Sequence, residues 1–518
     1  MPAGSFSQIE HFSTLRKRFC SSGASVANAM THYSGVLCPV RPLTTKPLSV
    51  SSAAFVDSNL LRIRIVAQQT SRSLDFWRRV LRIWASFKIT QLYVAAQRRH
   101  RSLNWSRTVW SRQHERAGDL MLKLCVEMKG FYVKAGQLIA LQAFVPSIIR
   151  NKLRVLQDNM PPMSPGTARL VVQQELHHLG HSMDIFEWLD LDKVLGSASI
   201  AQVHKGRLRD GHADVAVKIQ YPNVESLMMA DLANFRTLGE ILQRTELKFD
   251  LVRPVHELKR QLSLEFDFKN EANNMAEIRY ALRRVKQVCV PEAIPGLISR
   301  RLLVMTFIDG VPLTKLDGSL ANRGKRGVRY VGRRIMKNLT ACYGKMILTD
   351  GFFQADCHPG NIIVRNQNVD IGLVDFGQTK RFSNEVRLAF AKLVDAMARK
   401  DTNGVAAGLE ELGIKVVHKR DKGKPKARSK HPLTLEEKMA YTMFDTASVP
   451  GVNDNPFGEG STMKEGSIDN LPKDLFFLLR TMQILKGVGH STFNSDFSMI
   501  SSWGHIARSE LNRSNLTR

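Results

Sequence analysis

Four side chains are spaced for chemistry on a phosphate. Asp356 and Asn361 stand five positions apart in Gln354-Ala355-Asp356-Cys357-His358-Pro359-Gly360-Asn361, and Asp375-Phe376-Gly377 follows 19 residues after Asp356. In that arrangement Asp375 would hold a Mg²⁺ bridging the β- and γ-phosphates of a nucleotide and Asn361 a second Mg²⁺. Asp356 would accept the proton of an attacking hydroxyl or water. The fourth residue, Lys218, lies far upstream in Asp214-Val215-Ala216-Val217-Lys218-Ile219. Strand alternation puts Val215, Val217 and Ile219 on one face and Ala216 with Lys218 on the other. A small residue and an ammonium then face one cleft, the first under a base and the second toward phosphates.

The chain order of these pieces is that of a protein kinase. Gly196-Ser197-Ala198-Ser199-Ile200-Ala201-Gln202-Val203 falls on the glycine-rich pattern G-x-G-x-x-G-x-V, with alanine at the second and third glycines. Glycines let backbone N–H groups close on phosphate oxygens. The methyl groups of Ala198 and Ala201 are expected to stiffen that loop and hold it off the phosphates. The expected nucleotide set is Gly196, Ser197, Ala198, Ser199, Ala201, Val203, Ala216 and Lys218, with Met305 on the short apolar strand Leu302–Phe307. The expected cofactors are ATP and Mg²⁺.

The elements that must position these residues follow from hydrophobic pattern. Leu120, Leu124, Met128, Phe131 and Leu138 suggest one buried helical stripe, interrupted at Lys134-Ala135-Gly136-Gln137. Prolines at 161, 162 and 165 break the chain before a helix over Thr167–Leu179. A strand-rich region runs from Phe186 to Val217, then a long helical stretch over Pro254–Val285, then a mainly helical remainder with a strand at Val369–Val374. The expected fold is α+β and bilobal, protein-kinase-like, with a helical N-terminal extension. Its divisions are 1–60, a transit peptide or disordered tail; 61–185, a basic helical segment and extension; 186–312, the smaller lobe; and 313–518, the larger lobe.

The net charge of +28 is patchy. Residues 1–116 hold 18 Lys/Arg against 4 Asp/Glu, and Lys415–His431 holds eight Lys/Arg against Asp421 alone. Patches of this kind fit an anionic membrane surface or an import signal better than a nucleic-acid groove, and no nucleic-acid-binding motif is present. Residues 1–60 carry only Glu10 and Asp57 as acids, fifteen Ser/Thr and the cluster Arg16-Lys17-Arg18. That is transit-peptide composition, for a mitochondrion or a plastid. Residues 60–116 read as cationic helix, with Phe76, Trp77 and Trp84 among arginines, suited either to a membrane interface or to packing with a solvated basic face. No uncharged apolar run approaches the ~20 residues of a membrane span. The six cysteines form no C-x-x-C pair, which argues against a disulfide framework or zinc site. Lys415–His431 and the Gly/Pro-rich Val449–Gly460 read as loops.

Two departures from ordinary kinases remain. Gln354-Ala355 stands where a His-Arg pair would precede Asp356, and a helical region with Lys-x-Gly-Gln comes before the kinase-like part. With Leu156-Gln157-Asp158-Asn159-Met160-Pro161-Pro162, the alanine-type loop, Glu265-Phe266-Asp267 and Glu271-Ala272-Asn273-Asn274, the sequence resembles the UbiB (aarF-domain-containing, ABC1-like) family of atypical kinases over roughly residues 75–510. The resemblance implies that Lys218 pairs with Glu271 to organise the α/β-phosphates. It implies that Lys134 pairs with Glu265 and, with Gln137 and the E-x-D residue Asp267, lies across the space where a kinase admits a peptide. On one helix Glu265 and Glu271, six residues apart, would face different sides. A plugged groove favours ATP hydrolysis or small-molecule or lipid phosphorylation. The family context implies prenyl-quinone or lipid metabolism at an organelle membrane, with biosynthetic proteins as partners. The alternative is a pseudokinase, a nucleotide-gated scaffold for lipids or proteins. Cys357, where the family commonly has proline, places a thiol beside Asp356 that is expected to be open to oxidation.

Overall fold

The computed structural model describes residues 51–516 apart from 98, 142–144, 154, 157–161, 246–251, 317–323, 366–368, 419–432, 448, 450–465, 471, 473 and 490–496. Residues 65–518 make up one compact unit and residues 1–64 a separate one. Most of the transit-like segment, Gln157–Pro161 of the motif after Leu156, and nearly all of Val449–Gly460 lie outside the described residues.

The chain enters through α1 (Ser51–Gln97) and α2 (Leu103–Met128). Ser102 caps α2 by accepting from the Trp105 N–H. The expected stripe is confirmed at Leu124, Met128 and Phe131, which are all buried. Its interruption, however, falls at Lys129-Gly130, where both residues adopt positive φ (+56° and +55°), and not at Lys134–Gln137. Those four residues sit inside the next helix, α3 (Phe131–Leu141). The turn lets α3 fold back on α2, and Gly136 is what allows the close approach. A Cβ there would lie 2.4 Å from Leu156 Cδ1 and 2.8 Å from Cys125 Sγ. After α4 (Ser147–Leu153), Ser164 caps α5 (Pro165–His178), with proline at its first turn.

Strands β1 (Phe186–Ser197), β2 (Ala201–Leu208) and β3 (Asp214–Gln220) form consecutive antiparallel pairs. Helix α6 (Val224–Thr245) follows, then α7 (Val252–Glu265) and α8 (Phe268–Leu282). The stretch Pro254–Val285 is therefore two helices and not one. Asp267 is extended (φ −118°, ψ 100°) and caps α8 through the Lys269 N–H. Buried Gln220 donates its side-chain amide to the Phe266 and Arg300 carbonyls, and the Phe268 N–H also reaches Arg300. The break thus has its own hydrogen-bond partners.

Next come β4 (Val288–Cys289), β5 (Ala293–Ile298), β6 (Leu302–Thr306) and β7 (Val311–Pro312). Five strands form one sheet in the order β1-β2-β3-β6-β5. Its two faces belong to two cores. Val215, Val217, Ile219, Leu302 and Val304 pack with Ala168, Val172 and Leu176 of α5. Ala216, Leu303 and Met305 join the main core with Ala272 and Met275 of α8. The alternation read for β3 is the alternation observed.

A long amphipathic helix, α9 (Gly324–Gly344), runs into a π-helical turn, Lys345–Asp350, ended by Gly351 at φ +65°. Strands β8 (Phe352–Gln354), β9 (Ile362–Arg365), β10 (Asp370–Leu373) and β11 (Thr379–Arg381) follow. Strand β10 pairs with β9 and β4, and β8 pairs with β11. Helices α10 (Asn384–Arg399) and α11 (Thr402–Glu411) lead to β12 (Lys415–His418). The first four residues of the basic segment are thus a strand, paired with β13 (Gly466–Asn470), and not a loop. Residues 419–431 lie outside the described residues. Helices α12 (Leu435–Phe444), α13 (Leu475–Gly487) and α14 (Met499–Leu516) complete the chain. Among the described residues no helix is long and apolar enough to cross a membrane.

Candidate functional site

Lys218 and Glu271 meet as the resemblance implied. The Lys218 ammonium donates to both carboxylate oxygens of Glu271, at 2.7 and 2.8 Å, and both side chains are buried. Asp375 Oδ1 is 3.3 Å from the same nitrogen. Burial alone would lower the Lys218 pKa, but the charges of Asp375 and Glu271 outweigh it and raise it above the ordinary value. For Glu271 burial is the leading effect, helped by the Asp375 charge, and its carboxyl is raised against the pull of Lys218. Burial also pushes Asp375 upward, yet Lys218, the Gly377 N–H and the Lys134 charge together hold it below the usual carboxylate range. One cation facing two carboxylates leaves negative charge uncompensated, the condition a metal ion would relieve.

Asp375 lies two residues past the end of β10, in the left-handed region at φ +65°. Its Oδ1 accepts from the Gly377 N–H, a local turn that aspartate tolerates. The Gln354 side chain fixes the backbone around it by donating to the Val374 and Asp375 carbonyls at 2.8 and 2.6 Å, while Tyr343 donates to Gln354. The residue that replaces the kinase His-Arg pair therefore ties β8, and with it Asp356, to Asp375. Phe376 is buried, and its N–H donates to Glu271 while its carbonyl accepts from Asn274. Asn361 donates its amide to the Asp356 carbonyl, which leaves its side-chain oxygen able to ligate a cation.

The loop read as phosphate-binding is a tight β1–β2 hairpin. Its ends pair as Gly196 with Val203 and Ser197 with Gln202, and the Ala198 N–H donates to the Ala201 carbonyl. Gly196 is exposed, and a Cβ on it would meet nothing within 4 Å. Protein packing does not require a glycine there. Ser199, Ile200 and Ala201 are buried, so the tip is tucked in where a free phosphate loop would be open. Ser197 hydrogen-bonds Tyr221, and the Tyr221 N–H reaches the Ile200 carbonyl. Val203 lies opposite Lys218, and Ala216 opposite Met305, so all four share one face of the sheet.

Lys134 and Glu265 also meet, in a pair whose side chains are both 9% exposed. Gln137 donates to the Leu156 carbonyl, and Asp267 is the α8 cap described above. The two glutamates diverge because the helix breaks between them, and not because one helix turns.

Two residues escaped the sequence reading. Gln378 donates to Glu265 Oε1 at 2.7 Å and accepts from Arg480 at 3.0 Å. Arg480, on α13, donates to Asp356 Oδ1 at 3.1 Å. Gln378 directly follows Asp-Phe-Gly and was within reach of inspection. No local pattern marks Arg480, which is 124 residues from its partner. Cys357 corrects an expectation. It is buried, burial raises its thiol pKa, and it donates to the Thr481 carbonyl, so it packs against α13 and offers no exposed thiolate.

The sequence profile of the ABC1 atypical kinase-like domain matches residues 155–409. This chain belongs to that family, the AarF/ABC1 or UbiB-type atypical kinases. It is 28% identical over 407 residues to an AarF domain-containing kinase 1 of Drosophila melanogaster, covering 76% of this chain and 74% of that one. It is 31% identical over 308 residues to the AarF domain-containing protein kinase 1 of Mus musculus, covering 58% and 57%. An uncharacterised aarF domain-containing protein kinase of Arabidopsis thaliana, named as chloroplastic, is 28% identical over 382 residues, covering 72% and 50%. The ABC1 match takes in Gly196 through Asp375 and leaves Lys134 and Arg480 outside it.

Proposed function

We propose that this chain is an ATP- and Mg²⁺-dependent phosphoryl-transfer enzyme with the bilobal layout of a kinase, acting on water or a small or lipid acceptor at an organelle membrane. The observation that carries this reading is the convergence of Lys218, Glu271 and Asp375 beside Asn361 and Asp356. The donor set fits Mg²⁺. Among the described residues no three His, Cys, Asp or Glu side chains cluster as a protein-only cage. Mg²⁺ is commonly held by one or two protein oxygens together with phosphates, which Asp375 and Asn361 would supply. Bound there, it would neutralise charge on the phosphates.

Lys218, held by Glu271, would orient the α/β-phosphates. Asp356 would take the proton of the acceptor O–H as that oxygen bonds to the γ-phosphorus and the bond to the β–γ bridging oxygen breaks, releasing ADP. Lys134 and Glu265 would occupy the space of a peptide substrate, which is why the acceptor is not a protein. A membrane is supported by α1, where exposed Leu74, Leu81, Ile89 and Leu92 lie among Arg78, Arg82 and Lys88. The quinone or lipid role and a mitochondrial or plastid location rest on the family and on the composition of residues 1–60.

The second reading, a nucleotide-gated scaffold of low turnover, is favoured by the buried loop tip at Ser199–Ala201. ATP turnover by the full chain decides between them, measured with and without anionic liposomes and quinone-like phenols beside Asp375→Asn. Phosphate release that depends on Asp375 supports the enzyme. Mg–nucleotide binding with equal, background release by both proteins supports the scaffold.

A further inference from the structure

Five side chains join the N-terminal extension to the proposed base in one line of alternating charge and hydrogen bonds. Lys134 donates to Glu265 Oε2, and Gln378 donates to Glu265 Oε1. Arg480 donates one terminal nitrogen to Gln378 and the other to Asp356 Oδ1. Each member comes from a different place in the chain: α3, the end of α7, the residue after Asp-Phe-Gly, α13 and the loop after β8. We infer that Arg480 and Gln378 are positioning residues for Asp356, and that through them the seating of Lys134 on Glu265 sets which carboxylate oxygen of Asp356 faces the acceptor.

Three observations carry this beyond a surface ion pair. First, Arg480 takes only Oδ1, and among the described residues Oδ2 has no hydrogen-bond partner, which leaves one oxygen for a proton in flight. Second, α13 is clamped to both neighbours of Asp356. Thr481 donates to the Ala355 carbonyl at 3.3 Å, and Cys357 donates to the Thr481 carbonyl at 3.5 Å. Leu478, Met482 and Leu485 on the same helix are buried. The guanidinium is therefore held from a rigid base, and a planar two-pronged donor suits that task better than a lysine. Third, Gln378 is polarised from both sides, accepting from a cation and donating to an anion, so its amide can be satisfied in one orientation only.

The inference rests on the phosphoryl-transfer reading, so the test must separate the two. It uses the full chain with Asp375→Asn, Arg480→Gln, Arg480→Lys, Gln378→Met and the double variant Gln378→Met with Arg480→Gln. The readouts are kcat and KM for ATP, Mg–ADP affinity and melting temperature. Arg480→Gln is expected to lower kcat about 30-fold, since misplacing a reacting group by about 1 Å can cost ~100-fold. KM and Mg–ADP affinity are expected to stay within about 2-fold, because Lys218, Asn361 and Asp375 are untouched. Arg480→Lys keeps the charge and is expected to recover less than half of the loss. Should Arg480→Gln melt too early to assay, the lysine variant and Gln378→Met carry the test. Gln378→Met is expected to lower kcat several-fold, and the double variant to fall no lower than Arg480→Gln, as members of one unit do not add. Turnover abolished by Asp375→Asn but unchanged in the Arg480 variants would overturn the relay alone, as would additive losses or a loss confined to nucleotide affinity. Absence of turnover in the wild type, or turnover indifferent to Asp375, would overturn the reading and the relay together.

Discussion

Two lysine–glutamate pairs sit on either side of one helix break, and their surroundings close them in different ways. Lys218–Glu271 is buried and bidentate, and its third member is Asp375. Lys134–Glu265 is as well buried, but Glu265 passes its second oxygen to Gln378 and so onward to Arg480 and Asp356. In the proposed reading the first pair gathers charge where a nucleotide and metal would bind. The second connects an added helical segment to Asp356, the proposed base. A residue type and its partner type are thus not enough to assign a role, because the third contact decides it.

The comparison is broken most severely at Asp375. Asp375→Asn is expected to cut ATP turnover ~100-fold or more, with the melting temperature little changed, as read by phosphate release and calorimetry. A variant that retained wild-type turnover would remove Asp375 from the site. Next come the two lysines, each cut to methionine. Either change leaves a buried carboxylate without its cation, a loss of about 3–5 kcal/mol when nothing compensates. Both are expected to lower stability on that scale in chemical denaturation. Only Lys218→Met should also abolish Mg–ADP binding, and Lys134→Met should leave that affinity within about 3-fold. Equal nucleotide losses would erase the distinction between the pairs.

Smaller still is Gly136→Ala. The added Cβ would press on Leu156 and Cys125, which are side chains and can give, so the expected cost is about 1–3 kcal/mol. An unchanged melting temperature would show that α3 shifts freely on α2. The smallest effect is a pH slope on the sheet beside the β1–β2 hairpin. His204 is fully buried, and burial lowers its pKa from the ordinary 6.5. Below about pH 6.5 the unfolded chain takes up a proton that the folded ring refuses, so stability falls as pH drops until the folded pKa is reached. His204→Gln is expected to flatten that decline in melting temperature. His114, whose pKa burial also lowers, contributes a slope of the same sign.

Legibility in the sequence followed how local each feature is. The β3 alternation and the strand before Asp375 were read correctly because strand pairing exposes a two-residue period. The break between Glu265 and Glu271 was missed. Both flanks carry good helical pattern, and an aspartate N-cap at position 267 competes with helix only once Arg300 and Gln220 are there to accept and donate. The break at Lys129-Gly130 was displaced by five residues, to Lys134, for a related reason. A lysine at positive φ gives no signal until packing of α3 on α2 demands the turn.

What the sequence alone determined is the chemistry on offer: Lys218, Asp356, Asn361 and Asp375 at kinase-like spacing, and the motifs that mark the family. Such motifs survive in one dimension because a loop of fixed length delivers each group to the same place. What only the tertiary structure decided is the company these groups keep. Arg480 reaches Asp356 from 124 residues away, Gln354 holds the backbone at Asp375, and the loop tip is buried. Contacts of that kind depend on how α3, α7 and α13 pack together, and packing between distant segments leaves no period or spacing to read.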